Sequence, residues 1–127
     1  MTTLNLRDDT LHRNRHVYFV AGSDAAGVTY TSKQGVSTAL TGAKLLPSMQ
    51  AVYVTTSGAL TLYLPDVTEM AGTILTVTAD DQASGDLIVA DNDESFDWSD
   101  LTLGDNDDGV CLFSDGRKWW ILTDDYT

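Results

Sequence analysis

Lysine and arginine are scarce in this chain, seven in 127 residues, and none occurs between Leu45 and Gly116. That stretch carries fourteen of the 19 Asp and Glu residues, and the formal net charge is −12. Such a body repels phosphate backbones, which argues against a nucleic-acid partner. Cysteine occurs once, at Cys111, so no intrachain disulfide can form. Its neighbours Val110, Leu112 and Phe113 are apolar, and the thiol reads as a small buried hydrophobe rather than a nucleophile. No apolar run approaches the length of a membrane span, and no signal-peptide pattern follows Met1. Membrane insertion is therefore not expected, and synthesis is expected in a cytosolic setting.

Catalytic signatures are equally sparse. The two histidines, His12 and His16, sit near the N-terminus. There is no Gly-x-Ser-x-Gly elbow and no supported Cys-His pair. Carboxylates are so abundant that a glycosidase-like pair carries no information, and a body this small rarely builds an extended sugar cleft. No catalytic residue, cofactor or metal ligand is assigned, and the chain is not expected to be an enzyme. Two acidic runs, Asp91-Asn92-Asp93-Glu94 and Asp105-Asn106-Asp107-Asp108-Gly109, concentrate hard oxygen ligands. Neither completes a calcium loop, and Asp and Asn equally serve ordinary turns by capping backbone amides.

What is present is β patterning. His16–Val20 is a short β-rich run ended by Gly22, and Gly27–Thr31 is a second. Residues 32–50 read as a loop with a short strand or one helical turn. Ala51–Thr56 and Ala59–Leu64 alternate around Ser57-Gly58, which predicts a β-hairpin ended by Pro65. Asp66–Gly72 fits one helical turn. Thr73–Ala79 and Asp86–Ala90 are further strands, and Ser84-Gly85-Asp86-Leu87 echoes Ser57-Gly58-Ala59-Leu60 as recurrent turn chemistry. Asp91–Asp108 reads as an acidic loop anchored by Phe96, Trp98, Leu101 and Leu103. The chain closes on a hairpin, Gly109–Phe113 and Arg117–Thr123, joined through Ser114-Asp115-Gly116.

About eight short strands, with no long helix to cross between parallel ones, predict an all-β fold. The expected form is a small antiparallel β-sandwich or barrel, jelly-roll-like, with an extended N-terminal arm. Residues 1–15 form the arm and 16–127 a single domain. The arm carries Arg7, Arg13 and Arg15, with Leu4, Leu6 and Leu11 as apolar anchors. It reads either as a frayed terminus or as a docking segment for an acidic surface. In a strand, Trp119 and Trp120 point to opposite faces, which makes one of them core and the other an interface candidate. Burial of both in a two-sheet or trimeric arrangement is the alternative.

From Val52 to Leu122 the chain resembles a module of bacteriophage head-fibre, tail-fibre and capsid-decoration proteins. The residues that carry the resemblance are Leu60-Thr61-Leu62-Tyr63-Leu64-Pro65, then Ala71-Gly72-Thr73-Ile74-Leu75-Thr76-Val77. After an acidic stretch come Gly109–Gly116 and Trp119-Trp120-Ile121-Leu122. The resemblance implies a non-enzymatic homotrimer on the virion, made in the host cytoplasm and placed on the capsid surface. It implies the major capsid protein as partner, with Leu4, Leu6, Arg7, Leu11, Arg13 and Arg15 in the docking segment. A second reading is a carbohydrate- or receptor-binding tip module of a phage fibre, with host-surface glycans as partner and an outward Trp as platform.

Overall fold

The computed structural model describes residues 17–32, 35–82, 85–91, 98 and 100–125. The N-terminal arm, both histidines and most of the Asp91–Glu94 run lie outside them. The described chain is an all-β, two-sheet, sandwich-like fold. Its strands are β1 Val17–Ser23, β2 Gly27–Ser32, β3 Ser37–Ala39, β4 Ala51–Thr56, β5 Leu60–Tyr63, β6 Ile74–Gln82, β7 Leu87–Ala90, β8 Leu101–Leu103, β9 Gly109–Ser114 and β10 Trp119–Asp125. Single 3-10 turns occupy Thr41–Ala43 and Val67–Met70. One sheet runs β10-β9-β6-β4-β1-β2-β3 and the other β5-β7-β8.

The pairing is mixed, which corrects the expectation of an antiparallel sandwich. β1 pairs β4, β4 pairs β6, and β5 pairs β7, all in parallel. The hairpin expected across Ser57-Gly58 does not form. Its two arms belong to different sheets, because the chain turns a corner at Gly58 instead of reversing. Thr61 N–H binds Asp24 Oδ1, and Leu60 N–H binds the Asp86 carbonyl. Parallel strands usually need a helical crossover; here the crossover from β4 to β6 is a strand of the opposite sheet. β4–β5 and β6–β7 are therefore two stacked coils.

This stacking explains the sequence echo. Leu60 lies in register with Leu87, and Leu62 with Val89. Gly85 sits directly on the first coil's corner, where a Cβ would come within 2.3 Å of Ala59 N and 2.5 Å of the Gly58 carbonyl carbon. Thr56 Oγ1 donates to the Gly85 carbonyl at 2.9 Å.

Inward residues of both sheets form one core. Val54, Val77 and Leu112 from the larger sheet and Leu62, Leu87, Val89 and Leu103 from the smaller are fully buried. Each such burial contributes about 1.5–3 kcal/mol relative to exposure.

The final hairpin forms as expected, with Trp119 opposite Ser114 and a bulge between Ile121 and Thr123. Cys111 differs from expectation. It is half-buried and in register with Thr76, on the outer side of the larger sheet.

Candidate interaction surface

Strand alternation sends Trp119 and Trp120 to opposite faces. Trp119 is completely buried, whereas Trp120 is 45% exposed. The buried indole donates to the Pro65 carbonyl at 3.3 Å, and the Trp119 carbonyl accepts from Trp98 Nε1 at 2.8 Å. Nearby, the buried Ser114 hydroxyl donates to the Val67 carbonyl at 2.6 Å and accepts from Gly116 N–H. Gly72 N–H also reaches the Ser114 carbonyl. The Leu64-Pro65 strand end, the 3-10 turn and the Ser-Asp-Gly turn thus form one corner.

The exposed indole is also held. Trp120 Nε1 donates to Asp115 Oδ2 at 2.9 Å, and Lys118 Nζ lies 3.8 Å from its ring centroid. Asp115 Oδ1 accepts the backbone N–H groups of Arg117 and Lys118. Hydrogen bonding by Trp120, and then by those two amides, lowers the Asp115 pKa to about 2. Trp120 is therefore presented to solvent in a set orientation, with one ring face covered by the ammonium.

Trp120 belongs to a larger face. Across the seven-stranded sheet the register aligns Ile74, Phe113 and Trp120 in one row, and Thr76, Cys111 and Thr123 in the next. Tyr53 sits between Phe19 and Thr78, and Phe19 faces Thr31. The Phe19 and Tyr53 rings stack at 5.8 Å. Phe19, Tyr53, Ile74, Trp120 and the bulge residue Leu122 are all large, apolar and 39–49% exposed. The sequence marks Trp119 and Trp120 as interface candidates without deciding between them, and Tyr53 only as one of several aromatics. Phe19, Ile74 and Leu122 carry no such mark, since alternation does not tell which face a second layer covers.

The remaining polar features have local roles. In the second acidic run, Asp108 Oδ2 caps Asp105 N–H and Asn106 Oδ1 accepts Gln82 N–H at 2.7 Å. Those are turn-capping roles, and among the described residues no group of three or more His, Cys, Asp or Glu is placed to hold a metal ion. A cleft of about 400 Å³ opens beside Tyr30, Leu40, Leu46, Pro47 and Pro65. Its rim carries the Lys44–Asp66 ion pair, and hydrogen bonding by Lys44, then by Glu69, holds the Asp66 carboxyl below its ordinary range. No helix among the described residues is long and apolar enough to cross a membrane.

No family model matches the chain, and no curated protein or solved structure matches it.

Proposed function

We propose that the chain is a structural assembly protein, a trimeric capsid-decoration or short head-fibre protein of a bacteriophage. The observation that carries an assembly role is the outer face of the seven-stranded sheet, where Phe19, Tyr53, Ile74, Trp120 and Leu122 stand exposed among uncharged threonines in a chain of net charge −12. Large exposed apolar patches on small soluble domains mark interaction sites. The phage setting is supported by the order of the Leu-Pro, Gly, Ser-Asp-Gly and Trp motifs, which meet at one corner of the fold. Residues 1–15, with their three arginines, are assigned docking on the capsid lattice.

The test is co-sedimentation of the recombinant protein with empty heads built from the major capsid protein of the same genome. Saturable binding that is lost on deletion of residues 1–15 supports the reading. Absence of binding by the full chain refutes it, and undiminished binding by the truncated chain moves docking elsewhere.

One observation favours the second reading, a glycan-binding tip module. Trp120 stands exposed beside a carboxylate, an arrangement suited to stacking on a sugar ring while accepting hydroxyl hydrogen bonds. A glycan array distinguishes the two, since a decoration protein retains no sugar through Trp120.

A further inference from the structure

We infer that the neutral outer face of the seven-stranded sheet is the surface through which copies of this chain associate. This deepens the assembly reading and rests on it.

Charge placement is the first argument. The outward positions of β1, β2, β3, β4 and β9, of Ile74–Thr78 in β6 and of Trp120–Thr123 in β10 hold no charged residue. Charge returns at the two ends, at Asp80 and Asp81 around the bulge in β6 and, opposite, at Asp115 and Lys118 beside Trp120. A chain with 19 carboxyls and seven basic residues would meet a basic partner with acid. A face cleared of carboxylates instead suits a partner bearing the same high negative charge, and a second copy is that partner. Opposed carboxylates at such a contact would repel, and neutral side chains remove the repulsion.

Size is the second. Seven strands spaced about 4.8 Å apart, with three outward residues on the longer ones and two on β3, span about 30 by 20 Å. Covering that panel on two copies buries about 1,200 Å², the lower bound for a stable specific interface. The stacked Phe19–Tyr53 pair lies near the middle of the panel, where aromatic anchors concentrate binding energy.

The experiment is light scattering on the full chain and three variants. Tyr53→Glu and Ile74→Glu place acid on the face. Tyr63→Glu is the control, because Tyr63 is 40% exposed on the smaller sheet. Wild type and Tyr63→Glu are expected at a multiple of the 13.7 kDa chain mass, and both face variants at one chain mass with an unchanged β circular-dichroism signal. A monomeric wild type overturns the inference together with trimeric assembly. An oligomeric wild type whose face variants stay oligomeric overturns the inference alone, and loss of head binding by those oligomers would assign the face to the capsid. Should the variants unfold, Cys111 on the same face gives a second reading in wild type. Its alkylation should slow several-fold as concentration is raised through assembly, and a concentration-independent rate overturns the inference.

Discussion

The indole N–H of Trp119 reaches back 54 residues to the carbonyl of Pro65, both groups being buried. The hydrogen bond ties the last strand to the corner between β5 and the 3-10 turn. Trp119→Ala is expected to lower stability by about 3–5 kcal/mol, as large aromatic truncations do. Trp119→Phe keeps most of the volume but orphans the Pro65 carbonyl, and is expected to cost about 1–3 kcal/mol. Urea melts of the two variants check both values, and a loss under 1 kcal/mol for the alanine variant would contradict this account.

Trp120→Ala should behave differently. The ring is 45% exposed and its partners are Asp115 and Lys118 on the adjoining turn. Unfolding midpoints of dilute protein should move by less than about 1 kcal/mol, in keeping with a surface substitution. Sedimentation should instead show weakened association. Equal stability losses for the two tryptophans would contradict the inward and outward assignment of this strand.

Asp115 supplies a pH signature. Its pKa in the folded protein is lowered to about 2, against an ordinary value of 3.8. A depressed carboxyl contributes stability that is present above the unfolded pKa and lost as pH falls through the folded one. Asp115→Asn cannot accept the Trp120 and backbone hydrogen bonds as a carboxylate does, so its thermal midpoint should lie below wild type at pH 6. The gap should shrink between about pH 4 and about pH 2. A gap that stays constant with pH would show that the ionised carboxylate is not what holds this turn.

The two stacked coils make Gly85 sensitive to any side chain. A Cβ there meets the backbone of Gly58 and Ala59 at 2.3–2.9 Å, and backbone cannot swing aside. Gly85→Ala is expected to cost about 1–3 kcal/mol by overpacking. At Gly58 the added methyl meets only the Ser23 side chain at 3.3 Å, so Gly58→Ala should cost less. Paired melts of the two variants give the order, and a reversed order would argue against the stacked corners.

Gly116 holds φ +90° in the Ser-Asp-Gly turn, with Ala71 Cβ 3.1 Å from where a side chain would begin. Gly116→Val should therefore destabilise by at least about 1–2 kcal/mol, the usual range for a left-handed L-residue. Thermal unfolding at neutral pH checks it.

Much of this architecture was legible from local chemistry. Period-two alternation marks β4, β5, β6 and β9, Pro65 ends a strand because it has no amide to donate, and Asp115-Gly116 marks the closing turn. The opposite orientations of Trp119 and Trp120 also follow from the pleat alone. Which tryptophan faces inward does not, because Ile121 and Leu122 extend both phases with apolar residues. Only the core side of the sheet decides it, through Pro65 from a distant segment. The Ser57-Gly58 corner shows the same division. A glycine between two alternating runs reads locally as a hairpin, but whether the second run folds back or crosses to another sheet depends on its partner. That partner is β7, 27 residues ahead of Leu60 in register, and no local pattern carries it. The neutral outer face was likewise present in the sequence only as single uncharged residues on separate strands. It became a surface when the tertiary register set Phe19 beside Tyr53 and Ile74 in line with Phe113 and Trp120.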